Sequence, residues 1–129
     1  MNKKQLQSFL RNAGHSEMMQ IQQDAVDTIC DVDNVILYSK TGSGKTLAFL
    51  FAILAKMEND SDELEAIILA PSRELTIQIE EVFRSLKTGK KITVCYGGHS
   101  VKTEENSLSQ SPNIVVGTPG RIVDHIHRR

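Results

Sequence analysis

A glycine-rich turn that ends in lysine and threonine is the part of this sequence best suited to chemistry. A β-prone run at residues 34–38 precedes the turn, and an apolar, helix-forming run at residues 47–55 follows it. The glycines let backbone N–H groups turn toward phosphate oxygens, and the start of the next helix adds the positive end of its dipole. This order of strand, loop and helix predicts a nucleoside triphosphate site. The turn itself reads Gly42-Ser43-Gly44-Lys45-Thr46.

Each side chain of this loop has an expected task. Lys45 is expected to reach the β- and γ-phosphates, and the Thr46 hydroxyl to join the coordination shell of a bridging Mg²⁺ ion. Thr41 is grouped with the loop as a nucleotide-binding residue. The strict motif has glycine where this chain has Ser39, a small residue that suits a tight turn. The alternative is an ordinary turn whose lysine is merely solvated, and the flanking elements favour the phosphate loop.

Length and composition indicate one domain without a bulk affinity for nucleic acid. The chain has 129 residues, and 40% of them are apolar, which is enough for a core. The formal net charge is −1, so any binding to nucleic acid has to come from a local patch. Two tyrosines and no tryptophan argue against recognition by stacked bases.

The cysteines and the N-terminus predict a cytoplasmic protein with no membrane partner. Cys30 and Cys95 lie in predicted apolar elements without CxxC spacing, which predicts buried thiols in a reducing compartment. The N-terminus lacks the apolar core of a signal peptide. The longest apolar run, residues 47–55, is far too short to span a bilayer.

Strands and helices alternate along the chain, which predicts an α/β fold with a parallel sheet and helices on both faces. Ligands in such sheets bind at the carboxyl ends of strands, and every glycine- or proline-rich turn falls at such an end. The predicted strands are residues 34–38, 66–70, 92–96 and 113–116. The predicted helices are residues 3–12, 19–30 and 47–55, one capped by Ser72 and one starting near Pro119, while residues 99–112 are loop or short helix.

Three further segments follow the phosphate loop in an order that resembles the DEAD-box RNA helicases. The resemblance extends from about Gly14 to Arg129. It implies a RecA-like P-loop NTPase domain that binds ATP and Mg²⁺ and couples ATP hydrolysis to the remodelling of RNA duplexes. The segments are Ala70-Pro71-Ser72-Arg73-Glu74-Leu75, Tyr96-Gly97-Gly98 and Thr118-Pro119-Gly120-Arg121.

The resemblance also implies an upstream signature that reads the adenine ring, matched here by Ile21-Gln22. An amide such as that of Gln22 donates and accepts at once, as the adenine edge requires. The family usually has an aromatic residue and Pro-Thr in this signature, where this chain has His15, Met18 and Met19. The alternative for Gln22 is a solvated helix residue.

In the family the three downstream segments hold the RNA backbone. Arg73 and Arg121 stand at predicted helix starts, where guanidinium charge and backbone N–H groups suit phosphates and sugars rather than base edges. The alternatives are a salt bridge for Arg73 and a helix cap for Thr118. The matching positions are Pro71, Ser72, Arg73, Gly97, Gly98, Thr118, Gly120 and Arg121.

The sequence contains no Asp-Glu-Ala-Asp, the segment that supplies a Mg²⁺-holding carboxylate in this family. We therefore expect residues 1–129 to be the N-terminal part of a first helicase domain that ends before that strand. Hydrolysis also needs an arginine from a second helicase domain, so the chain alone should bind nucleotide weakly and not hydrolyse it.

Two other classes of function remain open. One is a non-catalytic module that binds RNA or protein, and the other is a DNA helicase of the same superfamily. Lys45 and Thr46 favour an ATPase, and the Thr-Pro-Gly-Arg segment favours RNA. His125 and His127 are two residues apart, diverge on a helix and are expected to be solvated.

Overall fold

The computed structural model describes residues 1–40, 44–98 and 100–128. Within them helices and short strands alternate, as the sequence predicts. The elements are α1 (Lys3–Asn12), α2 (Gln20–Asp31), α3 (Lys45–Lys56), β1 (Ala66–Leu69), α4 (Arg73–Ser85), β2 (Ile92–Cys95), α5 (Val101–Leu108), β3 (Ile114–Gly117) and α6 (Pro119–His127).

The chain divides into two compact units. The first comprises Met1–Asp60 with Val82–Thr88, and the second comprises Ser61–Glu81 with Gly89–Arg129. The first unit therefore holds α1, α2 and α3, whereas the second holds all three strands with α5 and α6.

The first unit is built on helices with apolar faces. A capping box starts α1, because the Asn2 side chain accepts from the Gln5 N–H at 2.9 Å and the Gln5 side chain accepts from the Asn2 N–H at 2.9 Å. The apolar run after the phosphate loop forms α3, a good helix sequence without glycine or proline. The buried core of the unit comprises Leu6, Leu10, Ala25, Val26, Ala48, Leu50, Phe51, Leu54, Met57, Phe83 and Leu86.

The second unit is a parallel sheet in the order β1-β3-β2. The register pairs Leu69 with Gly117 on one side and Cys95 with Gly117 on the other. All four residues of the central strand β3 are buried, as expected for a strand covered on both faces. At the opposite end of the sheet, the buried Asn113 amide donates to the Ser61 and Glu63 carbonyls at 2.8 and 3.1 Å.

The structure confirms the strands predicted at residues 66–70, 92–96 and 113–116 to within a residue or two at each end. Five predicted helices also form, and the segment predicted as loop or short helix contains α5. The Ser100 hydroxyl accepts from the Thr103 N–H at 3.3 Å and caps α5.

The strand predicted at residues 34–38 is wrong. The segment has no regular secondary structure, and Ile36 and Tyr38 are 94% and 98% exposed. A strand forms only when its N–H and C=O groups pair with a neighbour. Among the described residues β1 and β2 each pair with β3, and no strand pairs with this run. Its β-prone composition identifies residues that fit a sheet but supplies no partner.

The prediction that both thiols are buried is half right. Cys95 is fully buried in β2, whereas Cys30 is exposed near the end of α2. Cys30 lies in the last turn of α2, beyond Val26, the last buried residue of that helix. No helix in the described ranges has the length and apolar character needed to cross a bilayer.

Candidate functional site

The first candidate site lies where the phosphate loop meets α3. Gly44 is the N-cap of α3, with φ of +84°, and makes no side-chain cap to the helix. Glycine suits this position because side chains rarely adopt a positive φ. The helix therefore begins with backbone N–H groups that no capping side chain covers, an arrangement that favours anions.

Lys45 and Thr46 occupy the first turn of α3, which begins two residues before the helix predicted at residues 47–55. The Lys45 Nζ donates to the Ser39 carbonyl oxygen at 2.9 Å, so the ammonium group lies beside the segment that enters the loop. This position is consistent with a phosphate-binding lysine, and the contact of Lys45 with phosphate stays a prediction. Thr41, Gly42 and Ser43 lie outside the described residues, and their predicted roles stay predictions.

Gln22 is 2% exposed, so the alternative of a solvated helix residue is wrong. Its Oε1 accepts from the Met19 N–H at 2.9 Å, and its Nε2 donates to the Gly44 carbonyl at 3.5 Å. A Cβ on Gly44 would lie 2.9 Å from Gln22 Nε2 and 2.8 Å from Met19 Sδ. Gln22 therefore ties the start of α2 to the end of the phosphate loop, and this close approach also requires glycine.

The second candidate site is the carboxyl edge of the sheet. Beyond the strands, the Ala70 N–H donates to the Gly117 carbonyl and the Thr118 N–H to the Cys95 carbonyl, both at 3.0 Å. The turns after β1, β2 and β3 therefore leave the same edge side by side. The structure brings together there the predicted positions Pro71, Ser72, Arg73, Gly97, Gly98, Thr118, Gly120 and Arg121.

Arg73 lies exposed at the start of α4. Its guanidinium carbon is 5.9 Å from the centre of the Tyr96 ring, within the range of a cation–π contact. Gly98 has φ of +85°, and a Cβ there would lie 3.2 Å from Arg73 Nη1. The alternative role, a salt bridge, is weak: Glu74 is 4.0 Å away, and both side chains are more than half exposed.

The helix starts at this edge differ in how they are capped. The Ser72 hydroxyl accepts from the Leu75 N–H at 3.2 Å, which confirms the predicted cap of α4. Thr118 is the N-cap of α6, but its hydroxyl makes no capping bond. Pro119 and Gly120 follow it, exposed in the first turn. The α6 start thus combines exposed backbone with a hydroxyl that is not used as a cap.

Arg121 and Arg73 are placed differently. The Arg121 side chain is only 12% exposed, and its Nη1 lies 3.7 Å from Glu104 Oε1. Glu104, on α5, is itself 1% exposed. The predicted RNA arginines therefore comprise one guanidinium at the surface and one packed against a buried carboxylate.

Sequence reasoning missed Glu104 and misplaced His125. Glu104 Oε2 accepts from the Tyr96 N–H at 2.9 Å, and Oε1 is 2.6 Å from His125 Nε2. The His125 side chain is 10% exposed, so the prediction that it is solvated is wrong, whereas His127 is exposed. The available signal was the four-residue spacing of Arg121 and His125, which places both on one face of α6.

Cys95, Glu104 and His125 form a group whose possible ligand atoms all lie within 4.8 Å of one another, but its chemistry is that of an ion-pair cluster. Burial, and secondarily the Glu104 charge, raises the pKa of Cys95 to about 12, against a smaller opposing effect of Arg121. The thiol is thus protonated at neutral pH, and thiolates rather than thiols bind metals. Both Glu104 oxygens already have hydrogen-bond partners, and a guanidinium lies beside them.

Comparisons with a family model and with curated proteins identify related chains. The family model described as DEAD/DEAH box helicase matches residues 19–129. The chain is 40% identical over 118 residues to ATP-dependent RNA helicase CshA of Listeria monocytogenes, covering 90% of this chain and 23% of that protein. It is 41% identical over 122 residues to the probable ATP-dependent RNA helicase MJ0669 of Methanocaldococcus jannaschii, covering 92% of this chain and 33% of that protein.

Solved structures give the same result. A DEAD-box protein from the hyperthermophile Methanococcus jannaschii superposes with a TM-score of 0.84 at 37% identity, over 98% of this chain and 35% of that one. A DEAD-box helicase bound to ssRNA and UDP-BeF superposes with a TM-score of 0.86 at 29% identity, over 98% of this chain and 28% of that one.

The fold is therefore that of a RecA-like helicase domain with a parallel sheet. The chain belongs to the DEAD/DEAH box helicase family. It spans about a quarter of the length of the CshA relatives and about a third of the length of MJ0669.

Proposed function

We propose that this chain is the ATP-binding part of an ATP-dependent RNA helicase, which couples ATP hydrolysis to the remodelling of RNA duplexes. The observation that carries the proposal is the meeting of three turns at one sheet edge. These turns hold Arg73, Gly98 and Thr118, the positions that match the family's RNA segments. The names of the relatives, ATP-dependent RNA helicases, support the same conclusion.

ATP and Mg²⁺ fit the residues at the start of α3. The positive φ of Gly44, the start of α3 and the Lys45 ammonium favour a bound polyphosphate. Thr46 is the residue whose hydroxyl would hold Mg²⁺, which neutralises charge that develops on the phosphates during transfer. Gln22 would meet the adenine edge from its place beside Gly44. The remaining nucleotide-binding positions in the proposal are Thr41, Gly42 and Ser43.

RNA is held through its sugar-phosphate backbone in this proposal. Arg73 supplies exposed charge, and the turns supply backbone N–H groups at Gly97, Gly98 and Gly120. The Thr118 hydroxyl, which does not cap α6, is a further donor. Such contacts read the backbone, so binding should be independent of sequence.

Hydrolysis needs parts that the 129 residues do not contain. The sequence has no Asp-Glu-Ala-Asp to supply a carboxylate for Mg²⁺, and the proposed partner is a second helicase domain that supplies an arginine. We therefore propose that this chain, by itself the N-terminal part of the ATP-binding domain, binds nucleotide weakly and does not hydrolyse it. A cytoplasmic location stays a prediction.

Titration calorimetry with Mg-ATP tests the nucleotide half of this proposal. We expect weak binding that Lys45→Ala abolishes, because the ammonium is lost. Lys4→Ala, on the exposed face of α1, is the matched control and should bind as the parent chain does. Equal affinity in all three proteins would favour a non-catalytic module, and RNA-stimulated release of phosphate would contradict the predicted inactivity.

Fluorescence anisotropy with labelled ssRNA and ssDNA of equal length tests the other half. We expect tighter binding to ssRNA and a loss of affinity in Arg73→Ala. Equal or tighter binding to ssDNA would favour a DNA helicase of the same superfamily.

A further inference from the structure

Glu104 occupies an unusual position for a carboxylate. Its side chain is fully buried, and it lies on α5, outside the segments that match the family's RNA motifs. A buried carboxylate is costly unless charged and hydrogen-bonding partners surround it. Here it accepts from the Tyr96 N–H and lies beside Arg121 and His125.

The partners of Glu104 border the exposed turns. Tyr96 directly precedes Gly97 and Gly98 in the turn after β2, and Arg121 directly follows Gly120 in the first turn of α6. One carboxylate therefore fixes two of the three turns that form the sheet edge.

The burial of Arg121 limits what its charge can do. With 12% of its side chain exposed and its Nη1 3.7 Å from Glu104, the guanidinium neutralises a charge inside the protein. A phosphate contact would draw the guanidinium toward solvent and weaken its pairing with Glu104, and breaking a buried pair is strongly unfavourable. Arg73, more than half exposed, has no such constraint.

We propose that Glu104 is a positioning residue for RNA binding, and that Arg121 acts through Glu104 instead of contacting the RNA phosphates. The pair holds the turn after β2 and the start of α6 so that their exposed backbone groups face the same ligand. This inference rests on the proposed RNA function of the sheet edge.

The test compares ssRNA affinity and its salt dependence in variants of the 129-residue chain. Each phosphate contact to a single strand contributes about 0.7 to the slope of log K against log salt concentration. Arg73→Ala, a direct contact, should weaken binding and reduce the slope by about 0.7. Arg121→Gln should weaken binding about tenfold with an unchanged slope, since it disturbs position and not charge at the ligand.

A double-mutant cycle adds an independent readout. Glu104→Gln keeps the size of the side chain and an acceptor for the Tyr96 N–H but removes the charge that faces Arg121. If Arg121 acts through Glu104, the double variant Glu104→Gln/Arg121→Gln should lose no more RNA affinity than whichever single variant binds RNA less tightly. The control Glu105→Gln, exposed on the same helix, should bind as the parent chain does.

The possible results separate the inference from the function it rests on. If Arg121→Gln lowers the slope as Arg73→Ala does, or if the two losses of affinity add in the double variant, Arg121 contacts RNA and the inference is overturned. If Arg73→Ala changes neither affinity nor slope, the proposed RNA function fails and the inference with it. Thermal melts verify that each variant folds. If Glu104→Gln does not fold, the double variant keeps the test decisive, because it leaves no buried charge without a partner.

Discussion

The two candidate sites are held by different kinds of interaction. At the phosphate loop, position comes from backbone conformation, with Gly44 in a left-handed conformation and the Gln22 amide against its carbonyl. At the sheet edge, position comes from the strand register and a buried ion-pair cluster around Glu104. The segment with the clearest motif therefore has the simpler support, because backbone N–H groups need only a suitable conformation whereas buried charges need partners.

Gly117→Ala is the substitution that we expect to have the largest effect on the stability of the sheet edge. A Cβ there would lie 2.6 Å from the Cys95 carbonyl oxygen and 2.7 Å from Ile122 Cδ1. We expect Gly117→Ala to lower the free energy of unfolding by about 3 kcal/mol, since the Cys95 carbonyl belongs to the strand backbone and Ile122 is buried. Urea denaturation measures this. Gly120→Ala is the control: its Cβ would meet nothing within 4 Å, and stability should hold or rise. Equal stability of both variants would show that the sheet edge is looser than its register indicates.

Gly44 offers the matching test of the loop, with a smaller expected effect. Gly44→Ala adds the cost of a positive φ to a clash with Gln22 and Met19, so we expect a loss of about 2 kcal/mol and weaker ATP binding. Gly14→Ala has a similar φ of +89° but open space around it, so it isolates the conformational cost of about 1 kcal/mol. Identical losses in the two variants would mean that the contact with Gln22 contributes nothing.

The thiols of Cys30 and Cys95 test the two units through their reactivity and through the pH dependence of stability. We expect a thiol reagent to modify exposed Cys30 in the native chain at pH 8 and to spare buried Cys95 until the chain is denatured. The folded-state pKa of Cys95 is raised from 9.0 to about 12. Its contribution to stability is therefore complete below pH 9 and is lost as pH rises from 9 to 12, by up to about 1.4 kcal/mol per pH unit.

Denaturation of the parent chain and Cys95→Ala at pH 8 and pH 10.5 isolates this effect. The parent chain should lose more stability over that interval than the variant. A loss of the same size in both would contradict the raised pKa.

The smallest effect is expected at the surface of α6. The Arg128 and Asp124 side chains are 3.1 Å apart and are each more than two-fifths exposed. Asp124→Asn should change the free energy of unfolding by less than about 0.5 kcal/mol, because exposed pairs one helical turn apart contribute little. Chemical denaturation of Asp124→Asn and of Arg121→Gln compares an exposed pair with a buried pair on the same helix. A large loss of stability in Asp124→Asn would remove the distinction between buried and exposed pairs.

The sequence predicts those parts of the fold that depend on local pattern. The strands around Ile68, Val94 and Val116 form because each apolar run is short and bounded by turn residues. The cap at Ser72 forms because a hydroxyl there reaches the Leu75 N–H within the same turn.

What could not be predicted depends on distant partners. The run at residues 34–38 has strand composition, but no neighbour pairs with it among the described residues. Nothing in the sequence singles out Glu104, because its partners, Tyr96 and Arg121, come from other elements. The same holds for His125, whose ring lies against Glu104 of α5.

The register of β1 also governs the order in which the molecule assembles. Ala66 pairs with Ile114, so the sheet cannot close until a loop of about 50 residues has been brought together. Helices α2 and α3 need only neighbouring residues and are made first as the chain leaves the ribosome. Pulsed hydrogen exchange during refolding should therefore find the amides of α3 protected before those of β3, and the edge that carries Arg73 and Thr118 should be the last surface to acquire its final shape.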